Sequence, residues 1–142
     1  MFKKILLGVD GSHYSLKAAK MAAELARCMQ ADLHVVIAHA TLPAYFAGPS
    51  VQHTVSIEAA RLKNSRDILD KAVQTIGEVP GKLETEMLEG PAAEVILQVA
   101  ERIHSDLIVM GSRGLGNLRG LLVGSQSHKV LQHAPCPVMI VR

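Results

Sequence analysis

The stretch Met110-Gly111-Ser112-Arg113-Gly114-Leu115-Gly116-Asn117-Leu118-Arg119-Gly120-Leu121-Leu122-Val123-Gly124-Ser125-Gln126-Ser127 follows the short apolar run Leu107-Ile108-Val109-Met110 and ends in what reads as the start of a helix. A short apolar run flanked by turn signals suits a strand buried on both faces. A buried strand that passes through a glycine-rich turn into a helix is one unit of a parallel α/β sheet. Five glycines fall between positions 111 and 124, and such a turn lets backbone N–H groups face an anion. The same glycines could serve only as a sharp strand-to-loop turn.

Working outward, the same unit recurs. Lys4 to Val9 is an apolar strand ending at Asp10-Gly11-Ser12, and Ser12 suits a helix N-cap. Leu16, Ala19, Ala22, Ala23, Ala26 and Met29 then recur at helical spacing, with Lys17, Lys20, Glu24 and Arg27 on the opposite face. Leu33 to Ala38 is a second buried strand. The segment 42–49 holds two prolines and a glycine and reads as a mobile surface loop. A second helix runs from about 50–54 to near Gly77. Lys82 to Glu89 alternates, with Glu84 and Glu86 on one side, as suits a strand near a sheet edge. Gly90-Pro91 opens a third helix, Asp106 to Met110 is a fourth strand, Ser125 to His133 a fourth helix, and Pro137 to Val141 a fifth strand.

This β-α-β-α-β-α-β-α-β order predicts a single domain over residues 1–142 in the α/β class. We expect an open five-stranded parallel sheet of order 3-2-1-4-5 with helices on both faces, Rossmann-like in architecture. At 142 residues the chain is long enough to bury a substantial core. Aromatics make up 3% of it, too few for the stacking platforms of single-strand binders, and a net charge of +2 points to no polyanion partner. We therefore expect no nucleic acid and, with no apolar run of spanning length, no membrane. No leader peptide is expected. Cys28 and Cys136 form no C-x-x-C pattern and read as two buried, reduced thiols in a cytoplasmic protein. The seven histidines show no metal-ligand spacing: His128 and His133 are five apart. His34 reads as a satisfied, partly buried strand residue, and His39 as a residue on the crevice rim.

In an open parallel sheet the ligand crevice lies beyond the carboxyl ends of the strands where the winding reverses. In the order 3-2-1-4-5 that crevice joins Val9-Asp10-Gly11-Ser12 to Met110-Gly111-Ser112-Arg113-Gly114. The glycine loop is neither a Walker A sequence, since no Lys follows at the required spacing, nor a G-x-G-x-x-G, since the glycine after Gly114-Leu115-Gly116 is Gly120. Gly111-x-x-Gly114, nine further residues, then Gly124-Ser125 resembles the G-2x-G-9x-G-[S/T] nucleotide-binding pattern of the universal stress protein family. Ile5-Leu6-Leu7-Gly8-Val9-Asp10-Gly11-Ser12, Asp106 to Gly114, Leu122-Val123-Gly124-Ser125 and His133 to Val141 extend the resemblance over nearly the whole chain.

The resemblance implies the adenine nucleotide alpha hydrolase-like variant of the fold and a site for ATP with Mg²⁺. It places Asp10 near the nucleotide, the backbone of Ala38 against the adenine edge, and Gly111 and Gly114 beside ribose and phosphates. Gly124, Ser125 and Gln126 fall on the segment that holds the phosphates. Val9, Gly11, Ser12, Met110 and Arg113 complete the candidate site, and Mg²⁺ would sit near Asp10 and Ser125. Asp10 could instead cap the first helix, Ser125 could be only an N-cap, and Arg113 could be a solvated loop charge.

Phosphoryl transfer requires a held metal and a group that orients the attacking atom. One carboxylate and one or two hydroxyls are in prospect, so we expect a nucleotide-binding regulatory module with no catalytic residues and at most weak ATP hydrolysis. Its regulatory partner is not named by the sequence, and its expected moving parts are the 42–49 and 111–124 loops. The S-G-G-x-D-S of N-type ATP pyrophosphatases and the HIGH- and KMSKS-like motifs of class I synthetases are absent. The alternatives are a slow or partner-activated ATPase, and a dimeric interaction protein that binds no nucleotide. The apolar strand Val138 to Val141, at a sheet edge in this order, invites a homodimer, an arrangement the resemblance also implies.

Overall fold

The computed structural model describes residues 1–39, 51–113 and 124–142, with side chains in the second helix from Ser56 onward. Among these residues the elements are β1 (Lys4–Val9), α1 (His13–Met29), β2 (Asp32–His39), α2 (Val51–Ile76), β3 (Leu83–Glu89), α3 (Ala92–Ile103), β4 (Leu107–Gly111), α4 (Ser125–His133) and β5 (Val138–Val141). The strands form one parallel sheet, as the alternation of elements predicts, in the expected order β3-β2-β1-β4-β5. The segments 40–50 and 114–123, which include the expected 42–49 loop and the middle of the expected 111–124 loop, lie outside the described residues.

Burial explains why these runs become strands. From Ile5 to Val9 every residue of β1 is buried, and so is every residue of β4. Alternate side chains serve opposite faces. Ile5, Leu7, Leu33, Val35, Leu107 and Val109 pack beneath α1 and α2, where Ala18, Ala19, Ala22, Ala23 and Ala26 let α1 lie close on the sheet. Leu6, Val36, Ile108 and Met110 pack against Val95, Ile96 and Val99 of α3 and Val130 of α4 on the other face. Each fully buried Leu, Ile or Val contributes roughly 1.5–3 kcal/mol, so this two-sided core sets the sheet order and brings the ends of β1 and β4 together.

Local signals set the ends of the elements. Ser12 is the N-cap of α1: its Oγ accepts from Ser15 N–H at 3.1 Å, so the helix starts three residues before the apolar periodicity begins. Pro91 is the N-cap of α3. The cysteine expectation is corrected: Cys28 lies exposed on α1, because its position falls on the solvent face of that helix, and Cys136 is half-buried. Both thiols are free, with Cys136 Sγ 3.7 Å from Ser105 Oγ. His34 is partly buried and hydrogen-bonded, as expected, with Nε2 2.8 Å from Glu86 Oε2.

Candidate functional site

At the carboxyl ends of β1 and β4, where the winding reverses, the structure has a cavity. Val9 and Asp10 border it from β1 and Met110, Gly111 and Arg113 from β4. Gly124, Ser125 and Gln126 border it from the start of α4. Eight of the sequence-predicted residues are thereby brought to one place. Gly114 lies outside the described residues.

Three predicted residues do not line this cavity. Gly11 has φ +86°, and a Cβ there would stand 2.8 Å from Ile68 Cδ1, so its freedom serves the β1–α1 turn against α2. Ser12 is spent on structure: besides capping α1, its Oγ donates to Arg113 O at 3.3 Å. Ala38 packs half-buried against the core beneath α3.

A hydrogen-bonded frame holds the lining residues. Asp10 Oδ1 accepts from Ser12 N–H at 2.8 Å, and Asp10 N–H donates to Ser15 Oγ at 3.1 Å. Asp10 therefore turns back on the start of α1 while it borders the cavity. Gly124 N–H donates to Ser112 O at 2.6 Å, and the buried Ser127 Oγ donates to Gly111 O at 2.8 Å. These two bonds fasten the first turn of α4 to the end of β4. Gly124 is the N-cap of α4 and offers no capping side chain, and Ser125 is the first helical residue. The N–H groups of a helix's first turn have no partner within the helix and carry the positive end of its dipole.

Gly111 has a second reason to be glycine. A Cβ there would stand 2.8 Å from Tyr14 Cβ, 2.9 Å from Tyr14 C and 3.0 Å from Ser15 N. The end of β4 lies against the first turn of α1, with no room for a side chain between them.

Gly8, Ser15, Ala92, Ile96 and Ser127 also line the cavity, and the sequence reading did not single them out. Gly8 and Ile96 belong together, because a Cβ on Gly8 would stand 2.7 Å from Ile96 Cδ1. The signal available was a lone glycine within an apolar strand, a mark of close approach by a neighbouring element. Among the described residues no group of His, Cys, Asp or Glu could hold a metal ion by itself, and no helix is long and apolar enough to cross a membrane.

The model of the universal stress protein family matches residues 1–142. The chain belongs to the universal stress protein family. A curated family member from Thermus aquaticus, the universal stress protein in the QAH/OAS sulfhydrylase 3′ region, is 42% identical over 142 residues, with both chains covered completely. The solved structure of UspA from Lactobacillus plantarum has a TM-score of 0.79 at 28% identity, covering 99% of this chain and 98% of that one. A universal stress protein solved in complex with cAMP has a TM-score of 0.75 at 23% identity, covering 99% and 97%.

Proposed function

We propose that this family member binds an adenine nucleotide, ATP with Mg²⁺, in the cavity between β1, β4 and α4, and acts as a nucleotide-dependent regulatory module in stress responses. The observation that carries the reading is the convergence of Asp10, Gly111, Arg113, Gly124, Ser125 and Gln126 on one cavity. These residues come from three separated stretches of the chain, and the two glycines among them belong to the Gly111-x-x-Gly114, nine residues, Gly124-Ser125 spacing. The first-turn N–H groups of α4 suit phosphate oxygens. The apolar walls from Val9, Ile96 and Met110 suit the flat faces of a base or sugar. A family relative of the same fold is described with cAMP.

The residues present fit a magnesium ion carried in on phosphates. Asp10 and Ser125 offer the oxygen ligands that this ion prefers, and it commonly takes one or two carboxylates and completes its shell with phosphate and water. Asp10 would steady the ion and Ser125 the phosphates, and the ion would supply charge neutralisation. Asp10 is the only acid among the described lining residues, and one of its oxygens is engaged by Ser12 N–H. That arrangement favours retaining a nucleotide over turning it over.

Isothermal titration with ATP, AMP, GTP and NAD tests the site. ATP or AMP should bind in preference to the other two. Gly124→Val, which puts a branched side chain at the mouth of α4, should weaken ATP binding at least about tenfold, or about 1.4 kcal/mol. A Gly124→Val protein that binds ATP as tightly as the wild type would sink the assignment.

The same reading includes a homodimer through β5. Val138 to Val141 forms the outermost strand beside β4, and all four residues keep some exposure. Pairing with a second copy's β5 would satisfy this edge. Light scattering should give twice the chain mass for the wild type and the single mass for a folded Val138→Lys/Ile140→Lys variant. A monomeric wild type at tens of micromolar would remove the dimer.

A further inference from the structure

Gln126 forms a bond that neither the glycine pattern nor the phosphate-binding reading requires. Its Oε1 accepts from Ala93 N–H at 2.9 Å, across 33 positions of sequence. The oxygen assignment is fixed by chemistry, because a backbone N–H can only donate. Ala93 is the second residue of α3, the position whose N–H an N-cap side chain ordinarily satisfies. The N-cap of α3 is Pro91, which makes no side-chain capping bond. Gln126 therefore caps α3 from another helix.

The position of this bond gives it a consequence for the cavity. Ala92 and Ile96 of α3 form one wall, and residues 124–127 at the start of α4 form another. The Gly124 and Ser127 bonds tie α4 only to the end of β4. Among the side-chain hydrogen bonds from the described first turn of α4, the Gln126 bond is the one that reaches α3. It joins the two walls at the end where the first N–H groups of α4 lie, while Val130 packs α4 against Val95, Ile96 and Val99 of α3 farther along.

We propose that Gln126 is a positioning residue for the phosphate-binding end of the cavity, locking the first turn of α4 against the start of α3 through Ala93. This proposal rests on the nucleotide reading above. It deepens that reading by assigning the side chain of Gln126 a selective effect on ligands that carry phosphate. Of the apolar walls that would meet a nucleoside, Val9 and Met110 stand on β1 and β4, which this bond does not touch.

The experiment compares ATP with adenosine. Gln126→Met keeps the side-chain length and removes the acceptor. It should weaken ATP binding about tenfold, the equivalent of a capping bond near 1.4 kcal/mol, while adenosine affinity stays within about twofold of the wild type. A second measurement uses the unaltered chain: amide exchange at Ala93 should slow when ATP binds and stay unchanged when adenosine binds. Equal weakening of both ligands would reduce Gln126 to a purely structural cap and overturn the proposal. Wild-type ATP affinity in Gln126→Met, or equal exchange at Ala93 with both ligands, would also overturn it. A wild-type chain that binds neither ligand would overturn the nucleotide reading itself, an outcome distinct from the failure of Gln126 alone.

Discussion

The cavity end of the sheet and the β2–β3 surface beside α3 satisfy their polar groups in opposite ways. At the cavity the partners are backbone and hydroxyl groups: Ser12 with Ser15, Ser127 with Gly111, Gly124 with Ser112, Gln126 with Ala93. On the β2–β3 surface they are ionisable side chains. His34 lies between Glu84 at 3.5 Å and Glu86 at 2.8 Å, and Glu86 also binds Arg102. The surface with more charge is the one whose charges already answer one another. The cavity concentrates backbone donors at a helix start while its side chains hold the frame. Density of ionisable residues is therefore a poor guide to the candidate site in this chain, and close backbone approach is a better one.

The largest expected effect is at the cavity end. Gly111→Ala forces a methyl against Tyr14 and the backbone N of Ser15, contacts that a side-chain rotation cannot relieve. It should cost about 1–3 kcal/mol, the range for overpacking, read as a lower denaturant midpoint. Wild-type stability in this variant would break the comparison, because the close approach of β4 to α1 would then carry no weight.

The smallest effect is on the charged surface. Arg102 is half exposed, and pairs of that kind contribute about 0–1 kcal/mol, so Glu86→Gln should lower stability by no more than that. Its pH dependence sharpens the contrast. The hydrogen bond from Arg102 holds the Glu86 carboxyl below its ordinary value, against an opposing pull from partial burial, and His34 adds to the lowering. A lowered carboxyl contributes stability that is fully present above its unfolded pKa and is lost as pH falls through the folded one. The difference between wild type and Glu86→Gln should therefore fade as pH falls below the ordinary carboxyl value of 4.5. A difference that grew as pH fell through the carboxylate range would contradict this sign.

Much of the fold was legible because burial on both faces leaves a plain mark. The runs Ile5 to Val9 and Leu107 to Met110 admit few polar residues, and the alternation in Lys82 to Glu89 announced the edge position that β3 holds. Ser12 was legible as a cap because capping is local chemistry. Ile96 was not legible as a cavity wall. It reads as one apolar residue on a helical stripe, and only the crossing of α3 over Gly8 turns it toward the site. Cys28 was misread because composition alone does not say which face of α1 a thiol occupies.

The sequence by itself determined the alternation of elements, the parallel α/β class that follows from it, and the glycine spacing that singles out the end of β4. These are properties of neighbouring residues, set by periodicity, caps and turns. Tertiary structure alone decided that Gly11 and Ser12 stand outside the cavity lining, that Gly111 is held against α1, and that Gln126 caps α3 from α4. Those facts depend on contacts between residues as many as 101 positions apart, and they exist only once the two-sided core has brought the strand ends and helix starts together.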